Sequence, residues 1–112
     1  MKEYILTTFS KPVAGHEEEY NRWYNEVHIV QLLKIPGINA ARRFKPVSGL
    51  NTTDSPYLTI YDIKVEAIEA LMQLMQEEGK NMDISPSLDL ASVTTQIYEV
   101  MGDKTVKSIQ QI

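Results

Sequence analysis

Tyr24 and His28 are the residues of this sequence best suited to chemistry, and they are four positions apart. A helix over this segment would place both side chains on one face, one turn apart. Histidine, with an unperturbed pKa of about 6.5, carries protons near neutral pH. In an apolar pocket burial would keep the imidazole neutral, so that it could take a proton from an acidic C–H or a phenol, or hold an enol oxygen. The alternative is a structural histidine that hydrogen-bonds a loop carbonyl or fixes the helix to the edge of a sheet.

Aromatic and thioether side chains are the candidates for the wall of such a pocket. Trp23 precedes Tyr24 directly, Tyr61 lies in a strand-like segment, and Met72 belongs to a later apolar stripe. Ligand pockets are mostly apolar with a few polar groups, and buried tyrosine hydroxyls need polar partners. Methionine adapts to irregular cavities. The same residues also suit an ordinary hydrophobic core, so both roles stay open.

Two adjacent arginines fall in one strand-like segment, where alternation places them on opposite faces. The residues that share a face with Arg42 are Ile38, Ala40 and Phe44. A guanidinium in that setting needs an acidic partner or an anionic ligand. Asp62 and Glu99 are the acidic residues that could pair with Arg42. Arg43 is predicted on the other face, and a shift of one residue in the register would exchange the two roles.

Several kinds of site are excluded by the residue types present. The sequence has no cysteine, which removes disulfides, thiolate nucleophiles and cysteine-based metal sites. His16 is twelve positions from His28, about 18 Å along one helix, so the two cannot share a metal ion. His16 is expected to be solvated among glutamates. No metal and no cofactor is predicted.

Composition indicates one domain and limits its partners. A chain of 112 residues, 43% of them hydrophobic, can build one core, and we expect a single domain over residues 1–112. The net charge of −4 argues against nucleic-acid binding, which needs clustered Lys and Arg. No apolar run approaches the ~20 residues of a membrane span, and no signal-like region precedes the first strand. We therefore expect a cytoplasmic protein without a membrane partner.

Hydrophobic periodicity predicts the elements that position these residues. Strands are predicted over residues 3–9, 38–47, 57–64 and about 91–101, and helices over 16–34 and 66–78. Pro36 and Gly37 end the first helix, and Gly79 is predicted to end the second in a left-handed conformation. In the first helix, a spacing of three and four residues, typical of a helix, relates Tyr20, Trp23, Tyr24, Val27, Val30, Gln31 and Lys34. The apolar stripe of the second helix consists of Ile68, Leu71, Met72 and Met75.

The element order is that of an α+β, ferredoxin-like βαββαβ fold, a four-stranded antiparallel sheet with two helices on one face. The other face would carry Leu58 and Ile60, which predicts a homodimer packed sheet face to sheet face. Residues 48–56 are predicted to form a hairpin loop. Residues 102–112 are predicted to form a tail that is flexible or contacts a partner.

The first helix and the segment after it carry a family resemblance. The run EEYNRWYNEVH at 18–28, with LLKIPGI at 32–38 and ARRF at 41–44, resembles the EthD-like branch of the dimeric α/β-barrel superfamily. In that branch an aromatic residue stands one turn before a histidine that follows Glu-Val. Here Tyr24 and His28 fill these positions, with Tyr where the branch usually has Trp. The superfamily includes cofactor-independent monooxygenases, polyketide cyclases, lactone isomerases and haem-degrading enzymes, so the resemblance implies the fold and the dimer and no single reaction.

Three functions fit these observations. The first is a cofactor-independent isomerase, cyclase, lyase or monooxygenase that acts on a small apolar molecule, aromatic or carbonyl-bearing, with His28 as acid or base and Tyr24 assisting. The residues predicted to bind its substrate are Trp23, Arg42, Arg43, Tyr61 and Met72. The second is a small-molecule binding protein without chemistry. The third is an accessory dimer in which His28 is structural.

Overall fold

The computed structural model describes residues 1–51, 54 and 56–108. Its strands are β1 (Lys2–Ser10), β2 (Ile38–Phe44), β3 (Tyr57–Val65) and β4 (Thr94–Glu99). The first helix consists of α1 (Glu17–Trp23), a π-helical turn (Tyr24–His28) and α2 (Ile29–Leu32), and the second helix is α3 (Ile68–Gly79). The strands form one antiparallel sheet in the order β2-β3-β1-β4. The predicted ferredoxin-like fold is confirmed.

One face of the sheet is buried beneath the helices. Its buried residues from β1 and β3 are Tyr4, Leu6, Ser10, Thr59, Tyr61 and Ile63. Leu32, Ile35 and Leu71 pack against this face from the helical layer. In α3, Ile68, Met72 and Met75 also pack against the core, which confirms the predicted apolar stripe of the second helix.

The opposite face, called the open face below, is only partly covered. Its large apolar and aromatic residues are Ile5, Phe9, Phe44, Leu58, Ile60 and Tyr98. Phe44 is 40% exposed and Tyr98 is 55% exposed. Leu58 and Ile60 lie on this face as predicted.

A β-bulge in β2 moves one residue away from its predicted face. Ile38 pairs with Ile63, whereas Ala40 pairs with Asp62, so the register shifts between Ile38 and Ala40. Because a bulge adds one residue to a strand, Ile38 lies in the core and is 3% exposed. Ala40 and Arg42 lie on the open face. The prediction that Ile38 shares a face with Arg42 is therefore wrong.

The π-helical turn shifts the inward face of the first helix. The amide of Ile29 donates to the carbonyl oxygen of Tyr24, five residues earlier, where an α-helix would use a residue four positions back. The residues that pack inward after this turn are Ile29, Leu32 and Ile35. Val30 and Lys34 share the helical spacing of the earlier residues, but both are exposed.

Some predicted boundaries also differ. β2 ends at Phe44 and not at residue 47. β4 begins at Thr94 because Leu90–Ser92 form a 3-10 turn before it. Gly79 is the last residue of α3 and its φ is not positive, so the predicted left-handed end is wrong. Of the predicted hairpin loop, residues 52, 53 and 55 lie outside the described residues.

The ends of the domain differ in how they are held. The segment before β4 pairs with the loop after β1, since the Val13 amide donates to the Ser87 carbonyl oxygen at 2.7 Å and the Asp89 amide to that of Lys11 at 3.0 Å. Residues 102–108 are exposed and form no helix or strand, and residues 109–112 of the predicted tail lie outside the described part. No helix within the described ranges is both long and apolar enough to cross a membrane.

Candidate functional site

Five of the predicted site residues meet where the first helix faces β2 and β3. We call Trp23, Tyr24, His28, Arg43 and Tyr61 the Tyr24 cluster. The centroid of the Tyr24 ring lies 5.2 Å from that of Trp23 and 5.1 Å from that of His28. The guanidinium carbon of Arg43 lies 4.5 Å from the same centroid. The π-helical turn begins at Tyr24 and ends at His28, so the irregular turn of the helix carries both candidate catalytic residues.

His28 is enclosed by aromatic rings. Its imidazole stacks on the indole of Trp23 with a centroid distance of 4.7 Å and an angle of 22°, and it meets the edge of Tyr24. Burial lowers the pKa of His28 to about 4, because the charged ring would lose hydration. The side chain is therefore neutral at pH 7. Its buried Nδ1 has no hydrogen-bond partner among the described residues, so no loop carbonyl holds this nitrogen.

Arg43 is held against the helix by neutral groups. Its two terminal nitrogens donate to the side-chain oxygens of Asn25 at 3.1 Å and Asn21 at 2.9 Å. The rings of Tyr20 and Tyr57 also lie near the guanidinium carbon, at 5.5 and 5.4 Å. In the described part of the chain its buried Nε has no acceptor. Sequence reasoning missed Asn21 and Asn25, whose i, i+4 spacing on the first helix was the available signal.

Two tyrosines of the site differ in how their hydroxyls are satisfied. Tyr20 donates to the carbonyl oxygen of Ser10 at 3.1 Å and contacts its Oγ at 2.7 Å, so Tyr20 anchors the helix to β1. The hydroxyl of Tyr61 lies near Tyr24 but forms no hydrogen bond of good geometry among the residues that the structure describes, although the residue is 1% exposed. Burial raises the pKa of Tyr61, and neighbouring Tyr24 raises it further. Tyr61 therefore keeps its proton and can act as a donor.

Trp23 serves as a wall of the cluster. Its Nε1 donates to the carbonyl oxygen of Asp83 at 2.9 Å, which satisfies its polar atom and connects the helix to the segment after α3. A concavity of about 390 Å³ lies on the outer side of Trp23 and Val27. A second concavity of about 300 Å³ lies between the two helices and is lined by Gln31, Leu74 and Met82, among others. Within the described ranges the buried Oε1 of Gln31 is also without a partner.

Arg42 and Met72 are not part of the Tyr24 cluster. Arg42 lies on the open face, beside a groove of about 550 Å³ that Asp62 also lines. The predicted ion pair of Arg42 is not observed among the described residues, and Glu99 instead lies 3.9 Å from Lys2. Met72 packs against the core from α3.

His16 is exposed and contacts Glu19 at 3.4 Å, which confirms its predicted surroundings. Its imidazole Nδ1 faces a carboxylate on the first turn of the helix. No group of three or more His, Asp or Glu side chains in the described ranges is arranged to hold a metal ion.

Fold and cluster together define the class of protein: a ferredoxin-like α+β domain with polar groups enclosed between its helices and its sheet. Three solved structures share this fold. An EthD family protein from Bacillus halodurans is 18% identical, with a TM-score of 0.62 over 90% of this chain and 100% of that one. The haem-degrading protein MhuD from Mycobacterium tuberculosis, with two haems bound in its active site, is 16% identical, with a TM-score of 0.61 over 91% and 99%. A dimeric ferredoxin-like protein from an uncultured marine organism is 16% identical, with a TM-score of 0.57 over 92% and 98%.

These identities show the fold alone, and at that level the predicted resemblance to EthD-like proteins is confirmed. No protein-family model matches the sequence. No curated protein matches it either.

Proposed function

We propose that the Tyr24 cluster binds a small apolar molecule, aromatic or carbonyl-bearing, and transfers a proton on it without a cofactor. The observation that carries this proposal is the set of buried polar atoms around Tyr24 that lack partners among the described residues: Nδ1 of His28, Nε of Arg43 and the hydroxyl of Tyr61. Leaving a buried polar group unpaired costs about 1–3 kcal/mol each. A ligand with polar atoms would supply the missing partners.

The roles of the residues follow from their charge states. Neutral His28 accepts a proton from a C–H next to a carbonyl, and the Tyr24 ring stands nearly perpendicular beside it. A base with a pKa of about 4 is weak at pH 7. The negative charge that develops on the substrate oxygen stabilises the imidazolium formed beside it, which raises the pKa of His28 during the reaction. Isomerisation, cyclisation and lyase chemistry all begin with such a step.

The comparison with MhuD supports a small-molecule site in this fold, since that protein holds haems in its active site. Haem itself is not proposed for this chain. The alternative function is a non-catalytic binding or accessory dimer, which the stacking of His28 on Trp23 favours.

Proton transfer is tested with acetophenone, an aromatic ketone with an enolisable methyl group. Deuterium exchange at the methyl group is followed by ¹H NMR in D₂O at neutral pD. We expect the wild type to accelerate exchange over buffer and His28→Ala to lower that acceleration by about 10²–10⁴-fold, the usual contribution of a positioned acid or base. Binding of the ketone, measured by saturation-transfer NMR, should persist in His28→Ala.

His16→Ala is the matched control, because His16 is exposed and outside the cluster. It should leave the exchange rate unchanged. If the wild type binds the ketone but exchange proceeds at the rate seen in buffer, catalysis is contradicted and the non-catalytic binding function is supported. Loss of binding in His28→Ala together with a lowered melting temperature would support a structural His28.

We also propose that the open face packs against that of a second copy. The open face carries six large apolar or aromatic residues, and Phe44 and Tyr98 are at least 40% exposed in the single chain. Dimerisation would remove this surface from water. The dimeric ferredoxin-like protein from the marine organism supports the proposal. The described tail, residues 102–108, would then contact the partner.

A further inference from the structure

Arg43 is a half-buried cation without a counter-charge. Its terminal nitrogens donate to two neutral asparagine side chains, and the tyrosines around it are neutral groups that contribute cation–π attraction. In the described part of the chain no carboxylate lies within ion-pair distance of its guanidinium. A cation that is partly withdrawn from water is stabilised by an opposite charge, so the surroundings of Arg43 favour an anion that the described residues do not supply.

Tyr61 places a second donor beside Arg43. In the sheet Arg43 pairs with Thr59, and Tyr61 pairs with Ala41, two positions earlier in β2. Arg43 and Tyr61 are therefore diagonal neighbours on the face beneath the helices, within reach of each other's long side chains. The Tyr61 hydroxyl is buried and, like Nε of Arg43, has no acceptor among the described residues. Two unpaired donors thus lie on adjacent strands below Tyr24.

We propose that the Tyr24 cluster recognises its ligand through an anionic oxygen, a carboxylate, phenolate or enolate, that accepts hydrogen bonds from Nε of Arg43 and from the Tyr61 hydroxyl. This inference rests on the proposed function, whose substrate class it specifies. Charge-assisted hydrogen bonds are about twice as strong as neutral ones. For a carbonyl substrate the same two donors would stabilise the enolate formed when His28 removes a proton.

Because the whole molecule is negatively charged, stronger binding of an anionic ligand than of a neutral one would indicate a local positive site. The chain has a net charge of −4, so its overall field repels small anions. An anion that binds better than a neutral molecule of the same shape must therefore be attracted locally. Arg43 and Arg42 are adjacent in sequence but lie on opposite faces of the sheet, which makes Arg42 a matched control of equal charge.

The experiment compares benzoate with benzamide, which have the same shape and differ in charge. Dissociation constants are measured by ¹⁵N–¹H NMR titration of the wild type, Arg43→Gln and Arg42→Gln. We expect benzoate to bind the wild type about tenfold more tightly than benzamide and to shift the resonances of residues around Tyr24. Arg43→Gln should abolish this preference, and Arg42→Gln should retain it. Tyr61→Phe should reduce the preference without changing the net charge.

The outcomes separate this inference from the proposed function. If benzamide binds at the cluster as tightly as benzoate, the preference for an anionic ligand is contradicted, whereas the proposal that the cluster is a binding site still stands. Equal losses in Arg43→Gln and Arg42→Gln would assign the attraction to general surface charge and overturn the inference too. Binding of neither probe would contradict the site itself. If Arg43→Gln does not fold, Arg43→Lys keeps the charge without the Nε donor and should likewise bind benzoate more weakly.

Discussion

The imidazole of His28 couples the candidate site to the stability of the fold. Burial lowers its pKa to about 4 in the folded chain, whereas the unfolded chain has a value of about 6.5. Between these values the unfolded state binds more protons than the folded state, so protonation favours unfolding. The free energy of unfolding should therefore fall as the pH drops from about 6.5 to about 4.

Replacing His28 removes this pH dependence. We expect urea denaturation to show that the wild type loses about 2–3 kcal/mol more stability than His28→Gln between pH 7 and pH 4. His16→Gln should behave as the wild type does, since His16 is exposed. Equal losses in the wild type and His28→Gln would mean that His28 is solvated in the folded protein.

At the level of residues, the sequence predicted which side chains form the site better than it predicted their partners. Side-chain type and helical spacing identified Tyr24 and His28, because one helical turn joins them whether it is α or π. The faces of Arg42 and Arg43 depended on the register of β2, which a single sequence does not determine. The unpaired hydroxyl of Tyr61 depends on packing between distant segments and has no local sequence signal.

At the level of elements, the two departures from regular geometry explain the errors in the predicted core. A helix with regular α spacing would bury Val30 and Lys34, but the π-helical turn inserts one residue and turns Ile29 inward. A regular strand would place Ile38 with Arg42, but the bulge separates them. The order and type of the elements could be predicted from periodicity, because an insertion of one residue does not hide the pattern. The face on which each residue lies beyond an insertion could not be predicted.

The turn between α2 and β2 gives a prediction about the fold. Gly37 has φ of 99°, and a Cβ there would clash with Cγ1 of Val65. Gly37→Ala combines left-handed strain with this clash against a stiff β-branched side chain. We expect a loss of about 2–4 kcal/mol in the free energy of unfolding by urea denaturation.

Gly49→Ala provides the control for Gly37→Ala. Gly49 also has a positive φ, 81°, but a Cβ there would meet no atom within 4 Å. Only the left-handed strain remains, so about 1 kcal/mol should be lost. Similar losses in the two variants would show that the contact with Val65 relaxes freely and does not position the start of β2.

At the level of the whole molecule, the single chain leaves apolar surface that the fold does not cover. The radius of gyration is 16.2 Å, compared with about 13 Å for a compact domain of this length, so part of the chain extends from the body. Met101 is 103% exposed and Val106 is 72% exposed. Sequence reasoning anticipated an uncovered sheet face from Leu58 and Ile60, because alternation in a strand assigns residues to faces without knowledge of the partner.

The open face therefore gives a prediction about assembly. Leu58 lies near one end of this face, on an inner strand of the sheet, and pairs with Phe9 on one side and Phe44 on the other. In Leu58→Glu a dimer would have to bury two unpaired carboxylates, which opposes association strongly. We expect sedimentation-velocity ultracentrifugation to show a dimer for the wild type and a monomer for Leu58→Glu.

Val30→Glu is the matched control for this experiment, because Val30 is 46% exposed on the helical layer and lies outside the open face. It should remain dimeric.

A chain that ends at Met101 tests whether residues 102–108 contact the partner. If they do, the dimer of this shorter chain should have a higher dissociation constant than the wild-type dimer. A wild type that sediments as a monomer at every concentration would contradict the dimer. A dimer in Leu58→Glu but not in Val30→Glu would instead place the interface on the helical layer, where Val30 is exposed.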